Sequence, residues 1–145
     1  FSGNIGELIG FSQVLGAADL KKVASYLALK YSITLDNTSG GTNGDYVSSA
    51  GTTIWNASDN SQYHKQVIGI GRDDNSALNQ IQSHQADDTT RLYLGTLSAS
   101  NSANNASFAS NGQFVMMGHN GGQMKSTGST EHPSGWSIFS REHWW

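Results

Sequence analysis

The segment running from Val67 to Gln80, VIGIGRDDNSALNQ, most narrows what this chain can fold into. Val67, Ile68 and Ile70, separated by Gly69 and Gly71, lead into a dense polar turn and then into a second alternating stretch through Leu78 and Ile81. Strand side chains alternate between two faces, and glycines inside a strand mark places where neighbouring atoms come close. The pattern predicts strand, structured turn, strand, with Gly69 and Gly71 as structural residues. Arg72 stands beside Asp73 and Asp74, so the turn has two uses for its charges. Arg72 can act as internal counter-ion to one carboxylate, or the carboxylates can offer oxygens to calcium. A phosphate-loop reading of GIGRDDNS fails because the Walker and dinucleotide spacings are absent and no helix is expected to follow.

The remaining segments extend this β reading. Asn4 to Phe11, NIGELIGF, alternates and predicts a strand, with the lone Glu7 facing solvent or serving as an interior hydrogen-bond anchor. After Gly16 the period changes: Leu20, Val23, Leu27 and Tyr31 recur at helical spacing beside Ala24 and Ala28, predicting one amphipathic helix over Ala17 to Tyr31. Asp19 and Lys30 suit its two dipole ends, and Tyr26 and Tyr31 read as packing residues. Ile33 and Leu35 look strand-like before DNTSGGTNGD, Asp36 to Asp45, dissolves into loop. Tyr46 to Trp55 predicts a hairpin about Ser49-Ala50-Gly51. Arg91 to Leu97 and Gln113 to Gly118 predict further strands, with QADDTT as a turn and the Ser/Asn/Ala run 98–110 as a long mobile loop. His119 to Gly122 is a turn, and an aromatic segment closes the chain from Trp136 to Trp145. The sum is one helix and about eight short strands, a mainly β, antiparallel sandwich-like domain.

The 145 residues suffice for one compact unit with a real core. Only 36% of them are hydrophobic and 13% charged, so small neutral polar groups must cover the surface, as in turn-rich extracellular β proteins. The absence of cysteine excludes a disulfide framework and a thiolate metal site without fixing a compartment. A net charge of -3 with no basic cluster argues against a nucleic-acid partner. The apolar runs are too short for membrane insertion as a helix. Phe1 in place of a start methionine and the abrupt Trp144-Trp145 end suggest a piece of something longer.

Four motifs in order carry a resemblance: IGELIGFSQVLGAADLKKVASYLALKYSITL, then GTTIW, VIGIGRDDNSALNQIQS and FVMMGHNGG. From Gly3 to about Gly122 the chain resembles a module of very large bacterial surface proteins and adhesins. There it follows a concanavalin-like, laminin-G-type jelly roll, and residues 1–35 are similar to the closing strand and C-terminal helix of that lectin-like domain. Residues 36–145 then form the β-rich module, packed with the first part as one unit. The chain departs from the pattern at Gly16, where a Ser or Thr helix cap is usual, and in its Asn- and Ser-rich loops. The jelly roll that the resemblance implies ahead of Phe1 is expected in neighbouring sequence, and Trp136 to Trp145 is expected to continue into further β structure. An open edge rich in apolar groups is a template for pairing, so neighbouring domains or copies of the same protein are the expected partners, in strand exchange along a fibre.

Catalytic signals are absent. The five histidines, His64, His84, His119, His132 and His143, show no metal-binding spacing and read as surface imidazoles. No nucleophile elbow occurs, and adjacent Asp73 and Asp74 on a strand would face opposite ways rather than flank one glycosidic bond. The resulting expectation is a non-enzymatic, secreted or cell-surface structural and adhesive module. The alternative is a lectin-like module binding glycans by stacking on Trp55 or Trp136, with calcium held near Asp73, Asp74, Asp87 or Asp88. A hydrolase fragment is the third and weakest reading.

Overall fold

The computed structural model describes residues 2–36, 44–85 and 90–121. Among them the chain is mainly β, antiparallel and sandwich-like, with a single helix near the N-terminus. Helix α1 spans Ala17–Tyr31. Seven strands follow: β1 Tyr46–Val47, β2 Thr53–Trp55, β3 Lys65–Asp73, β4 Leu78–Gln80, β5 Gln82–His84, β6 Arg91–Tyr93 and β7 Phe114–His119. They make a β1-β2 hairpin, a three-stranded β4-β3-β7 sheet and a β5-β6 pair. Asp87, Asp88, Trp136 and the aromatic segment lie outside the described residues, as does most of the DNTSGGTNGD loop.

Strand β3 is the centre, as its glycine-spaced apolar run predicts. It pairs with β4 through Asp73↔Leu78 and with β7 through Gly69↔Met116 and Gly71↔Phe114. A methyl group built on Gly69 would stand 2.5 Å from Leu29 Cδ2 and overlap the Met116 sulfur, so the missing side chain lets helix and sheet close together. Gly71 does the same for Phe114, with the Gln113 carbonyl 2.8 Å from the position a Cβ would take. The β3–β7 register slips between Lys65 and Ile68, where Gln66 has φ 46, and the displaced Val67 N–H donates to Thr34 Oγ1 at 2.9 Å.

The helix matches its predicted span, but its buried face is rotated from the predicted stripe towards Ser25 and Leu29, with Ala28 common to both. Its buried residues are Ser25, Ala28 and Leu29, while Leu20 and Tyr31 of the predicted stripe are exposed. The reason is polar docking onto β1. Ser25 Oγ accepts the Val47 N–H at 2.9 Å and donates to Lys21 O, and Lys21 pairs with the buried Asp45 at 3.0 Å. Ser25 and Ala28, both small, permit the close approach on that face. The apolar cluster then comprises Ala28, Leu29, Tyr46, Val67 and Leu78, with Trp55, Phe114 and Met116 packed against it.

Two expected strands do not form. Residues 4–11 have no strand pairing, and Ile5, Leu8 and Phe11 remain exposed, because no described strand lies alongside to take their backbone groups. Residues 33–35 are also irregular, their polar groups held instead by the fully buried Tyr46. Its hydroxyl donates to Ile33 O at 2.8 Å and accepts from Leu35 N at 3.1 Å. The run 98–110, predicted to be a mobile loop, is ordered by its own amides. Asn101 Oδ1 accepts from Ile81 N at 2.6 Å and Gln82 N at 3.1 Å, and its Nδ2 donates to Asn79 O. Buried Asn104 donates to Leu94 O, and Phe108 is likewise buried.

Candidate functional site

A cleft of about 410 Å³ opens between the N-terminal strap, α1 and the turn that joins β3 to β4. Val23 and Leu29 of α1, Val47, Leu78 and Phe114 form its apolar floor, and Ile9 and Phe11 overhang it from the strap. Asp73, Ser49, Asn75 and Ser76 supply a polar end. The strap is tied to the helix by one side chain. Glu7 accepts from Tyr26 Oη at 3.0 Å and Tyr31 Oη at 3.1 Å, and pairs with Lys30 Nζ at 3.0 Å. The hydrogen bond from Lys30, followed by those from the two tyrosines, holds the Glu7 carboxyl below its ordinary range. The contact with Tyr26, then with Glu7, moves the Lys30 ammonium upward. Burial first, then Glu7, raises the Tyr31 phenol. Glu7 is thus the anchor its place in an apolar stretch allows, and Tyr26 and Tyr31 are hydrogen-bonding as well as packing residues.

The paired carboxylates diverge, because β3 ends at Asp73 and the chain turns into a 3-10 helix at Asp74–Ser76. Asp73 points inward, is 5% exposed, and accepts from Ser49 N at 2.7 Å and Ser49 Oγ at 2.5 Å. It thereby joins the β1-β2 turn to the end of β3. Asp74 points outward and takes a forked pair of bonds from Arg72, Nε at 2.7 Å and Nη2 at 3.0 Å. That guanidinium lowers the Asp74 carboxyl from its ordinary value, and Arg72 is raised in turn. The counter-ion role read for Arg72 is therefore met by Asp74. The two candidate calcium carboxylates are not brought together, and the described residues contain no group of three or more His, Asp or Glu side chains arranged to hold a metal.

Trp55 is not a bare stacking platform. It is half-buried at the edge of the core, and its indole N–H donates to His64 Nδ1 at 2.9 Å. Since Nδ1 accepts, the His64 proton sits on Nε2 and donates to Leu35 O at 2.8 Å. His64 is accordingly a structural relay between strand and loop, a correction to its reading as a surface imidazole. Sequence signals for this were slight: only the polar-tipped Trp55 at a strand end, which wants a partner when buried.

A family model described as a domain of unknown function, DUF8202, matches residues 19–145. The chain belongs to that family. No curated protein and no solved structure matches it. The family match begins within α1, so the strap at residues 2–15 lies ahead of it. No helix among the described residues is long and apolar enough to cross a membrane.

Proposed function

We propose that this chain is a structural and adhesive module of an extracellular bacterial surface protein, engaging neighbouring domains or copies of itself through unpaired extended segments. The observation that carries the reading is the strap. It runs extended with no strand partner among the described residues, and presents Leu8 at 89% and Val14 at 98% exposure. Apolar side chains on an unpaired backbone favour association with another sheet or surface. β7 adds a second opening, since β3 is its sole strand partner among the described residues and Val115 is exposed. The low charge content and the adhesin-like motif order support the same reading.

Sedimentation over a range of concentrations tests it. Association of the wild-type chain, weakened by Leu8→Asp with Val14→Asp at unchanged circular dichroism, is the expected result. A monodisperse monomer indifferent to those substitutions removes the assembly reading. Calcium that raises the thermal midpoint by binding the native state would favour the glycan-binding alternative.

A further inference from the structure

We propose that the cleft beneath the strap binds a small organic ammonium compound, one with an apolar body and a protonated amine. The charges around the cleft carry this. Glu7 is neutralised by Lys30 at 3.0 Å, and Lys22 by Asp19 at 3.1 Å. Asp73 alone faces the cleft without a cationic partner among the described residues, although it is 95% buried by its 5% exposure. Among the described residues its two oxygens take the Ser49 N–H and O–H alone, and a carboxylate has acceptor positions beyond those.

Each ligand class meets this wall differently. An ammonium brings three donors and the missing positive charge, while its apolar body covers Val23, Leu78 and Phe114. A neutral apolar ligand would deepen the burial of an uncompensated carboxylate, which is unfavourable. An anion would add repulsion to that cost. The cleft volume of about 410 Å³ suits a compact organic molecule. Ile9 and Phe11 close the outer side, held there by the Glu7 anchor. This site is independent of the assembly reading, which concerns the outward face of the strap.

The test is an amide NMR titration of the full chain at neutral pH with three probes of one shape: phenethylamine, 2-phenylethanol and 3-phenylpropionate. Phenethylamine should give saturable shifts at Val23, Leu78 and Phe114, with affinity about ten-fold or more above that of the alcohol, and the acid should give none. In Asp73→Asn the side-chain carbonyl still accepts the Ser49 N–H, and the amide donates to Ser49 Oγ, so the turn is retained. The preference for the amine over the alcohol should then disappear. The proposal is overturned by an unsaturable response to the amine, by equal responses to all three probes, or by undiminished amine preference in Asp73→Asn. If that variant does not fold, the ranking of the three probes on the wild-type chain decides.

Discussion

Residues 98–110, with a single 3-10 turn at Asn101–Ala103, and residues 2–15 both lie outside the helix α1 and the strands, yet they invert the usual relation between composition and order. The first is mostly Ser, Asn and Ala but is fastened to β4 and β5 by Asn101 and to Leu94 by Asn104. The second is rich in Ile, Leu, Phe and Val but leaves Ile5, Leu8, Phe11 and Val14 exposed. The difference lies in where partners are available. An amide carries both donor and acceptor, so one Asn can satisfy several orphaned backbone groups at a sheet edge. An apolar side chain is stabilised only by a surface that excludes water, and the strap finds one along its inner side alone.

Breaking the polar fastening should have the largest effect. Asn101→Ala strips acceptors from Ile81 N and Gln82 N, Ile81 itself being buried, and should cost about 2–3 kcal/mol in urea denaturation. A loss below about 0.5 kcal/mol, the scale of ordinary surface substitutions, would mean that the loop is held by Phe108 rather than by its amide.

Tyr46→Phe extends the comparison, because Tyr46 does for residues 33–35 what Asn101 does for the 98–110 run. It should cost about 1–2 kcal/mol. Burial pushes the Tyr46 phenol up from 10.0 to about 12. The unfolded chain therefore loses this proton first, and stability that is complete below 10.0 drains away as pH rises towards about 12. Alkaline denaturation of the phenylalanine variant should lack that component.

The strap's own anchor should matter locally and with the opposite pH sign. The Glu7 carboxyl is lowered in the folded chain, so its contribution is present above the unfolded carboxylate's pKa and is lost as pH falls through the lowered value. Acid should release residues 5–9 in amide exchange while α1 stays protected. Glu7→Gln should show the released pattern at neutral pH with little change in global unfolding. The smallest effect belongs to Leu8→Ser with Val14→Ser. At low protein concentration their unfolding free energy should stay within about 0.5 kcal/mol of wild type, and a larger loss would place these side chains inside the monomer's core.

Legibility followed the same division. The β3-β4 hairpin and the span of α1 were readable because glycine spacing and helical period are local signals. The Arg72 counter-ion role was readable because its partner, Asp74, is two residues away. The inward face of α1 was not, since Ser25 faces inward only because Val47 and Asp45 stand opposite. Likewise Ser49, Asn101 and His64 owe their roles to partners distant in the chain, and a small polar residue carries no periodicity to announce such a bond. The role of Asp73 was not legible either: read as a carboxylate for calcium or for Arg72, it is bonded by Ser49 of a different hairpin.

The Asn101 fastening also bears on the order in which the chain folds. β3 and β4 are joined by a short turn and need little loop closure, whereas β3 and β7 are far apart in sequence and must bring a long intervening segment back. If Asn101 seats on the β4 and β5 backbone first, it divides that long closure into two shorter ones. On that order β7 is expected to join the central sheet last, and Asn101→Ala is expected to slow refolding in stopped-flow measurements although the Asn101 side chain bonds to the β4 and β5 backbone rather than to β7.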